Sequence, residues 1–184
     1  MLFANIETFE SEKFQYILIP KNAGRTIHEL VFGSYPDAKY TQNIIDDSKI
    51  IWTVIRDPLE RFLSGLDYDL QRQKLNLDDI NIEDVFNFIN FNKPDGLKGN
   101  INHASSQIPY IINTRIKYYI NIDDLDVFSQ IHFQKKIHLN KNNNRKKLNL
   151  DEIEIKKYLK NDYYVYNSIM NSPLLWRWQY GKIF

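Results

Sequence analysis

Apolar positions along the chain fall into two kinds of pattern. Residues 14–20, FQYILIP, form a short continuous run rich in β-formers that ends at a proline, the signature of a buried strand. Ile27, Leu30 and Val31 then recur at helical spacing, and Gly33 supplies a natural stop. Residues 49–56, KIIWTVIR, again form an apolar run of strand length, suited to a sheet buried on both faces. Asp57-Pro58-Leu59-Glu60 carries a helix start: Asp as N-cap, Pro at the first helical position and Glu three residues after the cap. That helix is expected to reach about Lys74, with Leu59, Phe62, Leu63, Leu66 and Leu70 inward.

Further along, residues 82–91 predict a helix, 92–99 a loop, 116–122 a strand and 123–131 a short helix. Residues 134–147 read as a polar, basic loop, and 150–170 as a helix with Ile155, Leu159, Tyr163 and Tyr166 on one side. No repeat, heptad seam or long linker interrupts the order. Alternating strands and helices predict a single α/β domain over 1–184 with a mostly parallel sheet, since parallel neighbours need crossover connections.

Composition narrows the chemistry. With 24 Lys and Arg against 23 Asp and Glu, the net charge of +1 argues against a protein built to grip nucleic-acid backbone, though a local anion site is compatible with it. The absence of Cys excludes disulfides, thiolate metal sites and a cysteine nucleophile. The first ten residues, with Glu7 and Glu10 and no basic start, do not read as a signal peptide, and no run approaches the length of a membrane span. The expectation is a soluble cytoplasmic protein with no membrane partner.

Two loops stand out, each following a predicted strand and opening a predicted helix. In Pro20-Lys21-Asn22-Ala23-Gly24-Arg25-Thr26, small residues let backbone amides approach a ligand, and the unpaired N–H groups of the next helix favour an anion. Lys21, Arg25 and Thr26 add donors suited to phosphate-type oxygens. The bland alternative is a strand-to-helix turn with its cations in water, and the full Walker A ending is missing. In the second loop, Arg56 sits at a strand's C-terminal end and Ser64 two helical turns on, where both can reach a phosphate. Here the bland alternative has Asp57 capping the helix and Arg61 paired with a surface carboxylate.

Together, PKNAGRT and RDPLERFLS resemble the PKTAGTS-like 5′-phosphosulfate loop and the RDPxxRxxS 3′-phosphate motif of sulfotransferases that use 3′-phosphoadenosine 5′-phosphosulfate (PAPS), particularly the branch acting on carbohydrate hydroxyls. The segments HASSQIPY, YYINIDDLDVF, HLNKNNNRKK and IKKYLKNDYYVY follow in family order, so the similarity spans about residues 14–166. The resemblance implies a three-layer, P-loop-like fold, transfer of a sulfuryl group from PAPS to a hydroxyl acceptor such as a saccharide, and 3′-phosphoadenosine 5′-phosphate (PAP) as product. It assigns Lys21 to the bridging oxygen, the amides of Asn22, Ala23, Gly24, Arg25 and Thr26 to the 5′-phosphate, and Arg56 and Ser64 to the 3′-phosphate. It also gives the basic loop, through Asn142 or Arg145, a role as a flap on the 3′-phosphate side, the bland alternative being a solvated loop; His138, in the same loop, is a further candidate to assist the cofactor.

Sulfuryl transfer asks mainly for alignment and charge neutralisation, and no metal is required by that logic. Two positions depart from the family pattern: Asn22 replaces a Thr, and Arg25 a Thr or Ser. The His that several members carry before the second strand is missing from residues 38–42. His103, Glu29 and His28 are then the candidates for the group that takes the acceptor's proton. Trp176, Trp178 and Tyr180 are candidates for stacking on a sugar or, alternatively, for core packing. Animal members usually carry an N-terminal anchor, so a bacterial or viral origin is expected. The rival readings are a small P-loop-type kinase and a non-catalytic nucleotide-binding or interaction module of the same fold.

Overall fold

The structure, a computed structural model, describes residues 6–42, 45–74, 85–86, 102–112, 114–137, 151–177, 179 and 181–184. Five strands form one open sheet in the order β3-β1-β2-β4-β5. They are β1 (Glu7–Glu10), β2 (Phe14–Leu18), β3 (Lys39–Gln42), β4 (Ile50–Ile55) and β5 (Tyr118–Asn121). β2, β4 and β5 run parallel, as their apolar runs predict, but β1 pairs antiparallel with both β2 and β3. The mostly parallel sheet expected from the sequence is therefore mixed. β1 and β3 escape the pattern because neither is an apolar run: β3 is an exposed edge, and β1 ends in a buried acid. Glu10 is neutralised there by Lys39 at 3.2 Å and Lys49 at 3.1 Å.

The strand period of two sorts the sheet's side chains to opposite faces. Phe14, Tyr16, Trp52, Val54 and Ile120 meet Ile27, Leu30 and Val31 of α1 (Gly24–Phe32) on one face. Ile17, Ile51, Ile55 and Tyr119 pack with Ile111 and Ile169 on the other. Helices thus cover both faces. α2 (Pro58–Gln73) starts as predicted, Asp57 Oδ1 accepting the amides of Leu59 at 2.9 Å and Glu60 at 3.0 Å. Its apolar stripe, Leu59, Phe62, Leu66 and Leu70, is buried, with Leu63 only partly so.

A 3-10 turn (Asn102–Ala104) and the short α3 (Ile108–Ile112) precede β5, and α4 (Leu125–Phe133) follows it after a second 3-10 turn at Ile122–Asp124. The helix expected over 150–170 is two, α5 (Glu152–Tyr158) and α6 (Lys160–Met170), because the chain bends at Leu159, which is buried beside α2. The C-terminal segment closes the β5 edge: Tyr119 donates to the Leu174 carbonyl at 2.9 Å, and Trp176 to Tyr119 at 2.8 Å. The helix expected at 82–91 and the loop at 92–99 lie outside the described residues, apart from residues 85 and 86. Among the described residues, no helix is long and apolar enough to cross a membrane.

Candidate functional site

Parallel pairing of β2 with β4 brings their C-terminal ends together, so the two basic loops leave the sheet side by side. Arg56 Nη1 donates to the Lys21 carbonyl at 3.4 Å, and Arg56 Nη2 reaches Glu60 Oε2 at 3.2 Å. Lys21 and Ala23 both adopt left-handed backbone, at φ 67° and 63°. Each non-glycine residue there costs on the order of 1 kcal/mol and needs external support. Asn22 supplies it: fully buried between them, its Nδ2 donates to the Val54 carbonyl at 2.8 Å and to Gln107 Oε1 at 3.3 Å.

This changes the expected role of Asn22. Its side chain is a strap under the loop, and its backbone amide is spent on the Ile19 carbonyl at 3.2 Å, so it does not belong with the amides assigned to the 5′-phosphate. Those that open α1 are Gly24, Arg25 and Thr26, and the N-cap Ala23 has no side-chain oxygen to cap them. Gly24 contributes close packing: a Cβ there would fall 2.4 Å from Leu18 Cδ1.

Lys21 Nζ lies 3.3 Å from the ring centroid of Tyr68, on α2, a cation–π contact. Burial pulls its ammonium down to about 8; Asp69 and Asp67 act in the opposite sense, while Arg25 and Arg56 add to the lowering. Ser64 stands one helical turn after Glu60 and one before Tyr68, on the α2 stripe whose two ends touch Arg56 and Lys21. The helix period therefore puts Ser64 on the same face of α2 as Glu60 and Tyr68.

His103 joins this cluster from the 3-10 turn. Its Nδ1 is 2.6 Å from Asp69 Oδ1, and its backbone amide donates to Asp69 Oδ2 at 3.0 Å. Its ring meets Tyr68 edge-on, 4.7 Å between centroids. Two residues make this approach possible. Gly65, mid-helix, lies so close to the turn that a Cβ would fall 2.2 Å from the His103 carbonyl oxygen. Arg61 is not the surface ion-pair partner expected: it is 1% exposed and donates to the carbonyls of His103 at 3.2 Å, Ala104 at 3.4 Å and Ser105. Burial lowers its guanidinium to about 10, leaving it cationic near neutrality.

Gln107 links the pieces, accepting from Asn22, donating through Nε2 to the Arg56 carbonyl at 3.4 Å and through its amide to buried Asp162 at 3.0 Å. Comparison with protein-family models, curated proteins and solved structures found no match. The arrangement itself remains the guide: two cations and a helix N-terminus beside a carboxylate-bound imidazole.

Other candidates lie elsewhere. His28 and Glu29 are on the exposed side of α1, His28 stacked on Phe32 with centroids 4.5 Å apart and edge-on to Phe9. Arg25 is exposed one turn before Glu29. Trp176 is fully buried, its Nε1 donating to the Gly181 carbonyl at 3.1 Å, which places it in the core. Asn142, Arg145, His138, Trp178 and Tyr180 lie outside the described residues. Sequence reasoning missed Tyr68, Asp69 and Gln107, although Gln107 lies within the quoted HASSQIPY segment. A glycine inside a strongly patterned helix was the available signal for Gly65.

Proposed function

We propose that the paired loops bind PAPS and that the protein transfers its sulfuryl group to a hydroxyl acceptor, a saccharide in the reading closest to the motifs, releasing PAP. The observation that supports the reading is the Arg56–Lys21 contact, which sets two loops with separate phosphate motifs side by side. The first-turn amides of α1 suit the 5′-phosphate, and Arg56 with Ser64 the 3′-phosphate that separates PAPS from ATP. Lys21, half-buried within the first loop, is suited to negative charge growing on the departing phosphate oxygen. Loss of one such donor lowers turnover about a hundredfold to a thousandfold, the effect expected for Lys21→Ala. The five-stranded sheet with helices on both faces is compatible with the three-layer, P-loop-like architecture this reading implies.

Thermal melts with PAP, PAPS, and ATP plus magnesium test the proposal. A ligand at about a hundred times its Kd adds about 2.7 kcal/mol, roughly 5–10 °C for a chain of this size. Stabilisation by PAP and not by ATP is expected, and Arg56→Ala should abolish it while leaving the unliganded melt near wild type. Stabilisation by ATP alone would make this a kinase-type site, and no response to any of the three would sink the nucleotide reading.

A further inference from the structure

Asp69 grips His103 at two points, and the chemistry of the contact selects one tautomer of the neutral imidazole. The carboxylate is 2% exposed, with one oxygen 2.6 Å from His103 Nδ1 and the other accepting the His103 amide at 3.0 Å. An ionised carboxylate can only accept, so the nitrogen facing it carries a proton, and in the neutral ring Nε2, on the other side, carries the lone pair. About a third of the side chain is exposed, so the ring is reachable from outside. The turn that bears it is pinned by Arg61 through three carbonyls and seated against Gly65. The same Tyr68 ring that meets His103 edge-on carries the Lys21 ammonium, so the imidazole and the loop cation sit on one aromatic platform.

We propose that Asp69 is a positioning residue that holds His103 as the Nδ1–H tautomer, and that His103 Nε2 takes the proton of the acceptor hydroxyl. The inference rests on the sulfuryl-transfer reading above. In the step, the hydroxyl oxygen bonds to sulfur as the bond from sulfur to the bridging phosphate oxygen breaks. The hydroxyl proton passes to Nε2, and the electron pair of the broken bond stays on the phosphate of PAP, where Lys21 meets it. Base, orienting carboxylate and leaving-group cation then have separate owners, the division of labour that carboxylate–imidazole pairs serve in other acyl- and group-transfer sites.

Two readouts on the full chain test this. Nitrogen-15 spectra of histidine-labelled protein at pH 8.5, with the His103 signals assigned by their loss in His103→Gln, should show Nδ1 protonated and Nε2 bare, and Asp69→Asn should reverse them. Hydrolysis of PAPS, in which water stands in for the acceptor hydroxyl, should fall at least about a hundredfold in both variants while PAP affinity stays within about threefold of wild type. An Nε2–H tautomer in the wild type overturns the proposal, as does wild-type hydrolysis in either variant. PAP binding with hydrolysis indifferent to both substitutions removes the base and leaves the nucleotide site standing; no PAP binding removes both. Should Asp69→Asn fail to fold, the wild-type tautomer and the rate of His103→Gln decide.

Discussion

Replacing Gly65 with alanine isolates the close approach on which the His103 turn depends. The added Cβ would lie 2.2 Å from the His103 carbonyl oxygen, 2.3 Å from its carbon and 2.5 Å from the Ala104 nitrogen, all backbone atoms that cannot rotate away. Ordinary contact requires the turn to retreat by about 1 Å, an overpacking strain at the upper end of roughly 1–3 kcal/mol. The same retreat weakens the two bonds that Arg61 makes to the His103 and Ala104 carbonyls, now 3.2 and 3.4 Å, by the equivalent of one bond to a charged donor, about 2 kcal/mol. Alanine's better helix propensity returns about 1 kcal/mol. The expected net loss is about 3–4 kcal/mol, seen as a lower urea midpoint at unchanged slope and a fall in Tm of roughly 6–16 °C. Gly24→Ala is the matched comparison: its Cβ meets the tip of the flexible Leu18 side chain, so it should cost no more than about 1 kcal/mol. A Gly65→Ala protein as stable as wild type, or more so, would mean that only helix propensity is at work and that the turn does not bear on α2.

Three further outcomes are expected. Arg61→Lys keeps the charge but not the planar fork, and should lower stability by about 2–3 kcal/mol in urea titrations; equal stability would refute the three-carbonyl cradle. Because free Lys21 loses its proton near 8, PAP affinity should weaken as pH rises through 8 to 9, while Lys21→Met binds more weakly with no such pH step; parallel curves for the two would remove Lys21 from the anion site. His132 is packed against Phe128, Phe184 and Trp176 with neither ring nitrogen hydrogen-bonded, and burial holds it down at about 4, from an ordinary 6.5, with Lys182 adding to the lowering. Below 6.5 the unfolded chain takes a proton that the folded one refuses, so stability should be lost as pH falls from 6.5 to 4, by on the order of 1–2 kcal/mol after screening. Denaturation midpoints across that range should show the loss in wild type and a smaller one in His132→Phe.

What the sequence made legible is what neighbouring residues decide among themselves. The start of α2 follows from Asp57 and Pro58 alone, and β2 and β4 declare themselves as apolar runs. β1 and β3 do not, because their stability lies in partners: buried Glu10 is paired with Lys39 of β3 and with Lys49, just before β4, and accepts from Gln15 of β2. The site divides in the same way. The cations of the two loops were readable from local motif, whereas Asp69 acquires meaning from a histidine 34 residues away and Gln107 from an asparagine 85 residues away. Arg61 misled for a related reason: a charged residue on a helix reads as solvated, and only three inward-turned carbonyls make its burial affordable.

Gln107 has a mechanical consequence. One amide side chain bonded to both gripping segments, and anchored through its own backbone to Asp162, fastens them into a single jaw of fixed span. On the PAPS-binding reading proposed above, a ligand with an anionic group at each end would meet anchor points already spaced for it, so little ordering entropy would be lost at capture. Recognition on that reading works as a ruler, and a nucleotide too short to touch both ends should bind more weakly.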